Sequence, residues 1–219
     1  MKKFPVWLIA SVGIVGAFAG AYAAIHSVPD AKADVMASPA ERERMKGMLA
    51  NDPGLPSVAP QGFDATIVVF SDYQCPYCRK MHGNLKQLLA SDRKVRIVYR
   101  DWPIFGAASL EAARAAMASR YQGKHAAFND ALMAGPVKLD HIAIRNAAER
   151  AGVDWPRLEA DLARNKSAID ASLRKTGQLA ETLGISGTPA LVIGDYLIPG
   201  AIDAATLREV LQKTRQGAR

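Results

Sequence analysis

Cysteine is almost absent from this chain. Its 219 residues hold only two, Cys75 and Cys78, which excludes a framework of scattered structural disulfides. If both act together, they form a single pair. Aromatic residues are sparse too, at 7%, and none interleave with a basic run. The formal charge is +7, yet basic residues sit among acidic ones, as in Glu41-Arg42-Glu43-Arg44 and Asp92-Arg93-Lys94. That pattern speaks for no nucleic-acid partner. There is no internal repeat and no second Cys-x-x-Cys to complete a four-ligand zinc site. What remains, 49% hydrophobic and 22% charged, is the composition of a globular protein long enough for one domain with an insertion and a short accessory segment.

One long apolar run is present. Lys2 and Lys3 precede an uncharged stretch from Phe4 to Ile25, the order of a targeting segment. About twenty residues at about 1.5 Å each match a hydrocarbon layer roughly 30 Å thick, which leans toward an uncleaved anchor. Ala21-Tyr22-Ala23 offers a small-x-small cleavage site, and Ala31-Lys32-Ala33 a weaker one. Residues 1–26 are therefore a signal peptide or a membrane anchor, with everything after them exported. Residues 27–60 read as a linker punctuated by Pro29, Pro39, Pro53, Pro56 and Pro60. Within it, Ala40 to Ala50 suits a short helix with Ser38 as N-cap and Pro39 in the first turn.

The globular part begins near Gln61. Thr66 to Phe70 is a β-branched and apolar run that reads as a buried strand. Arg79 to Ala90 has helical spacing, and Val95 to Tyr99 is a second strand, so the two should run parallel. A helical block follows over about residues 107–180: Ala107 to Gln122, Lys124 to Ala134, Leu139 to Ala151, Trp155 to Asn165, and Ser167 to Leu183, closed by Gly184. Ala190 to Ile193 and Tyr196 to Ile198 then flank Gly194-Asp195, a hairpin signal, and Asp203 caps a last helix to about Gln216. The fold class is thus α/β, a central sheet of at least four strands with a helical insertion, behind an N-terminal hydrophobic helix.

Cys75-Pro76-Tyr77-Cys78 lies where a strand ends and a helix begins. The first turn of a helix presents unpaired N–H groups and the positive end of the macrodipole, so a thiolate at Cys75 is stabilised there. Pro76 suits a position that needs no N–H. Cys78, one turn on, can meet Cys75 as a disulfide, with Cys75 as exposed nucleophile and Cys78 as the more buried resolving thiol. A structural role is a poor alternative, because closing so small a loop stabilises by only about 2 kcal/mol. A metal site is another; His82 could join on the next turn, but a fourth ligand is not evident, so no metal or cofactor is assigned. Gly187-Thr188-Pro189, directly before an apolar strand, suits either a cis peptide that offers Thr188 backbone groups to a substrate strand or an ordinary turn. Asp72 could be a buried carboxylate that shuttles protons to Cys78, or a solvated loop residue. His82, His125 and His141 read as structural, and Trp102-Pro103-Ile104-Phe105 as packing at a strand end near the site's rim.

Four segments together carry a resemblance: Phe70 to Cys78, Tyr99 to Gly106, Gln122 to Phe128, and Gly184 to Ala190. They resemble bacterial DsbA-like thiol–disulfide interchange proteins of the thioredoxin superfamily, in the branch that includes ScsC, over about residues 45–219. The resemblance implies a thioredoxin-like fold with an inserted helical domain, Pro189 as a cis-proline facing the cysteines, a bacterial periplasmic location, and exported proteins as substrates. It also implies a membrane redox partner that resets the disulfide. The best-known member has histidine where this chain has Tyr77, so strong oxidising power does not carry over. Some ScsC relatives form oligomers through their N-terminal segment, a role that falls to residues 38–50 here. Oxidase is the first direction, isomerase or reductase the alternative. From another class, a copper-binding or chaperone module would use the same thiols as ligands.

Overall fold

The β-branched runs form the middle of one five-stranded sheet. Its strands are β1 (Ser57–Val58), β2 (Ala65–Ser71), β3 (Val95–Asp101), β4 (Ala190–Ile193) and β5 (Tyr196–Pro199), in the order β1-β3-β2-β4-β5. The computed structural model describes residues 38–217. The segment read as signal or anchor, residues 1–26 with its apolar run, lies outside the described residues. β2 and β3 are parallel, with Ala65 opposite Val95 and Ser71 opposite Asp101. β4 runs antiparallel on the other side of β2, pairing Phe70 with Ala190, and β5 returns beside it. Gly194 makes that return at φ +58°, and a Cβ there would meet Thr214 Cγ2 at 2.6 Å; the turn needs a residue with neither constraint. β2 and β3 are buried at nearly every position, which is why both read as continuous apolar runs rather than alternating ones.

Seven helices are described: α1 (Pro39–Ala50), α2 (Pro76–Ser91), α3 (Ala107–Ser119), α4 (His125–Ala134), α5 (His141–Arg150), α6 (Trp155–Thr182) and α7 (Ala204–Gly217). α3 to α6 are the insertion between β3 and β4. They share a core in which Ala112, Ala116, Phe128, Leu132, Ile144 and Leu158 are buried together with Tyr73, Cys75 and Cys78. The cysteines therefore lie on the seam between sheet and insertion.

Two features differ from the sequence reading. Trp155–Asn165 and Ser167–Leu183 are one helix of 28 residues. No glycine or proline interrupts the junction, and side chains brace it: Asn165 Nδ2 donates to Asp161 O at 2.8 Å, and Lys166 Nζ reaches Asp170 one turn on at 2.6 Å. Arg114 of α3 grips the same carboxylate at 2.7 Å. The helix does end at Gly184 (φ +66°), with the Gly184 N–H on Glu181 O at 3.0 Å and the Ile185 N–H on Ala180 O at 2.8 Å, a closing motif that satisfies the last carbonyls.

The second difference lies in the stretch read as linker, where α1 and β1 are built into the fold. Ser38 caps α1 as expected, its Oγ accepting the Glu41 N–H at 3.2 Å. Met45 and Leu49 are buried against Val68, Phe70 and Val98. Two arginines of β3 hold the end of α1. Arg96 donates to Ala50 O; Arg100, 1% exposed, donates to Leu49 O at 3.0 Å, to Met48 O and to Thr176 Oγ1 of α6 at 3.4 Å. Burial pulls the Arg100 guanidinium down to about 10, with Asp52 opposing. Two helix-end carbonyls and a hydroxyl take up this cation, as suits the negative end of a helix.

Arg100→Met should lower the unfolding free energy by roughly 3 kcal/mol, because two helix-end carbonyls lose charged donors; the urea midpoint measures it. Acid should also weaken the α3–α6 contact. Arg114, then Lys166, hold the Asp170 carboxyl at about 2, below its ordinary 3.8. That contribution is complete above 3.8 and lost as pH falls through about 2. Asp170→Asn should flatten the stability profile across that window.

Candidate active site

The site is made by three chain segments that end at one edge of the sheet. β2 stops at Ser71, α2 begins at Pro76, and Cys75 is its N-cap with extended backbone (φ −81°, ψ 119°). The Cys75 N–H donates to Asp72 O at 3.2 Å, while Cys75 O accepts from Cys78 N at 3.1 Å and Arg79 N at 3.3 Å. Both cysteines are thiols. The Cys75 Sγ–H donates to Thr188 O at 3.2 Å, and the Thr188–Pro189 bond is cis. Of the two readings left open for Gly187-Thr188-Pro189, the cis turn beside the cysteines is the one found. The Thr188 hydroxyl is buried without a hydrogen-bond partner among the described residues.

Exposure does not separate the two thiols as the sequence reading has it. Each residue is 2% exposed, because the Thr188 loop covers Cys75 while the insertion core packs behind both. Their surroundings separate them instead. Cys78 Sγ accepts the Asp72 N–H at 3.5 Å. Burial pushes the Cys78 thiol well up from its ordinary value, and that N–H opposes the shift without cancelling it. Burial therefore disfavours a thiolate at Cys78. Pro76 and Tyr77 face solvent, Tyr77 at 65% exposure.

Of the two readings of Asp72, the buried carboxylate is the one found, at 1% exposure. It is buried, and its carboxylate is fully engaged. Oδ1 accepts from the Gln74 N–H and the Ser109 hydroxyl, both at 2.7 Å. Oδ2 accepts from the Ile104 N–H at 2.7 Å and the Phe105 N–H at 3.1 Å. Its backbone N–H faces Cys78 Sγ. The carboxylate ties the cysteine loop to the segment after β3 and to the first turn of α3. In this way Ile104 and Phe105 become an exposed apolar rim.

Each of the three histidines among the described residues has a partner of its own. His82 Nε2 lies 3.0 Å from Asp130 of α4, buried His125 packs its ring on Tyr99 at 5.1 Å, and His141 pairs with Glu111 at 2.7 Å. Among the described residues no group of three or more His, Cys, Asp or Glu side chains is placed to hold a metal ion. Two further residues have no signature in the sequence. Gln74 Nε2 donates to Phe105 O and Ser109 Oγ, each at 3.1 Å, and its Oε1 accepts the Leu139 N–H at 2.9 Å. Arg79 spans from Tyr73 O at 2.6 Å to the end of α4, where it donates to the carbonyls of Leu132, Met133, Gly135 and Pro136 at 3.0, 2.8, 2.8 and 2.6 Å. Those acceptors are too far along the chain to be read from spacing; the only cue was Arg79's place directly after Cys78.

Comparison with known proteins gives a consistent picture. The model of the DSBA-like thioredoxin domain matches residues 66–212. A thioredoxin-like oxidoreductase from Silicibacter pomeroyi is 37% identical, with 78% of this chain and 98% of that one covered and a TM-score of 0.74. The thiol-disulfide exchange protein alpha-DsbA2 from Wolbachia pipientis is 27% identical, covering 81% and 99%, with a TM-score of 0.72. The catalytic domain of Proteus mirabilis ScsC is 25% identical, covering 80% and 96%, with a TM-score of 0.67. A curated relative, the Na(+)/H(+) antiporter NhaA 1 of Salinispora arenicola, is 27% identical over 162 residues, which is 73% of this chain. The chain spans about a quarter (24%) of that relative's length.

Asp72→Ala should leave two rim N–H groups without an acceptor. Amide hydrogen exchange at Ile104 and Phe105 should speed by tenfold or more, at a cost of roughly 3 kcal/mol in stability. Unchanged protection at both amides would show that the carboxylate does not hold the rim.

Proposed function

The chain belongs to the DSBA-like thioredoxin domain family; from that premise we propose that it is a thiol–disulfide oxidoreductase that oxidises cysteine pairs in exported proteins through a Cys75–Cys78 disulfide, in the bacterial periplasm. The observation that carries this reading is the unlike setting of the two sulfurs. Cys75 Sγ, at a helix N-cap, meets the Thr188 carbonyl of a cis turn, while Cys78 Sγ accepts the Asp72 N–H in a buried setting that pushes its thiol up.

In the oxidising direction a substrate thiolate attacks Cys75 Sγ. The Cys75–Cys78 bond breaks, Cys78 leaves and takes up a proton, and a mixed disulfide forms. A second substrate thiolate then attacks the substrate sulfur of that bond. It releases Cys75 as a thiolate and leaves the substrate oxidised by two electrons. Burial of Cys78 favours its protonation as it leaves. The backbone at Thr188 suits an extended substrate segment, and the exposed Tyr77, Ile104 and Phe105 suit an unfolded one. A membrane redox partner would return the dithiol to the disulfide. The export reading rests on residues 1–26. A homo-oligomer through residues 38–50 would use the outer face of α1, around Met48, since Met45 and Leu49 are committed to the chain's own core.

Titration in glutathione buffers tests the direction. The potential should lie nearer that of a strong oxidant, about −120 mV, than that of thioredoxin, about −270 mV. A value at the reducing end would make the protein a reductase or isomerase. Cys75→Ser should abolish exchange with a disulfide substrate, and Cys78→Ser should accumulate the mixed disulfide; full activity without Cys75 would overturn the mechanism.

A further inference from the structure

Gln74, the residue directly before Cys75, has an amide that is used at both of its ends. Nε2 donates to Phe105 O and to Ser109 Oγ, each at 3.1 Å, and Oε1 accepts the Leu139 N–H at 2.9 Å. The backbone N–H of Gln74 donates to Asp72 Oδ1 at 2.7 Å. A carbonyl on one side demands an N–H, and an N–H on the other demands an oxygen, so the partners fix which way the amide points. Asparagine carries the same two groups one methylene short, and an ionised glutamate carries acceptors alone.

The connections that Gln74 joins each bear an exposed apolar side chain. Phe105 lies between β3 and α3, and Val137 between α4 and α5. Val137 is held from both directions: Pro136 O accepts from Arg79 Nη2 at 2.6 Å, and the Leu139 N–H goes to Gln74. Asp72 also holds the Phe105 N–H. Among the described residues, though, Gln74 is the side chain that bonds both connections.

We propose that Gln74 is a positioning residue that sets substrate preference: by clipping both connections to the cysteine loop it presents Phe105 and Val137 to the segment that reaches Cys75, and so favours a large apolar residue beside the substrate cysteine. This rests on the reading of Cys75 and Cys78 as the exchanging pair. Gln74 acts through the two connections, and its amide bonds neither sulfur. The exchange itself is unaltered. Two electrons and two protons pass from a substrate dithiol to the pair, the Cys75–Cys78 bond breaks, and a substrate disulfide forms.

The test uses two reduced peptides with the same two cysteines, one with phenylalanine and one with serine beside the first. Each is mixed with the oxidised full chain, and the second-order rate constant of disulfide transfer is measured. Wild type should favour the phenylalanine peptide about tenfold, and Gln74→Ala should cut that preference to about twofold. The ratio of the two rates cancels any general loss of folded protein. Should Gln74→Ala not fold, Gln74→Glu replaces it; it keeps an acceptor for Leu139 but sets an oxygen against Phe105 O, and should lose the preference as well. Phe105→Ala adds a readout that a merely structural role would not move. Alone it should lower the preference severalfold, and in the Gln74 variant it should change little. A wild type without preference, or fully additive effects of the two substitutions, would overturn the proposal. If wild type oxidises neither peptide, the reading of the pair fails and the proposal with it. If it oxidises both and the Gln74 variant keeps the wild-type ratio, the pair stands and Gln74's role falls.

Discussion

Where β2 ends, the Asp72 carboxylate accepts four hydrogen bonds, from Gln74, Ser109, Ile104 and Phe105. These donors come from the cysteine loop, the segment after β3, and α3. A buried anion is tolerated only when its acceptors are filled, so the three segments are held to one arrangement. The Asp72 N–H then points at Cys78 Sγ, and the loop that follows delivers Cys75 to the start of α2. The geometry of the site depends on this junction more than on the cysteines, which make few bonds themselves.

Cations do comparable work away from the sulfurs. Arg79 gathers the carbonyls at the end of α4, and Arg96 and Arg100 gather those at the end of α1. In each case a guanidinium meets the negative end of a helix instead of a carboxylate. Part of the net charge of +7 is thus spent inside the fold, joining helices to the sheet and to the cysteine loop, and need not describe a surface for an acidic partner.

Much of this protein was legible in its sequence. Local chemistry wrote the two parallel strands, the Cys-x-x-Cys at a strand–helix junction, the Ser38, Asp203 and Gly184 helix ends and the Gly194 hairpin, and each forms where its pattern lies. The failures have a common cause. The division of α6 at Asn165 and the exposure of Cys75 turned on partners distant in the chain, Arg114 and Thr188, as did what the sequence left open, the packing of the linker's helix against Arg100 and the choice between two readings of Asp72, held by Ile104 and Ser109.

The sequence by itself determined the order of strands and helices, the reactive pair and its place at a helix start, because propensity, capping and side-chain period act within a few residues. Only the tertiary structure decided which thiol is buried in what company, which carboxylate is a fastener and which arginine joins the cysteine loop to α4. Burial and hydrogen-bond satisfaction are properties of packed neighbours, and here those neighbours are tens of residues apart: 113 from Cys75 to Thr188, 53 from Arg79 to Leu132.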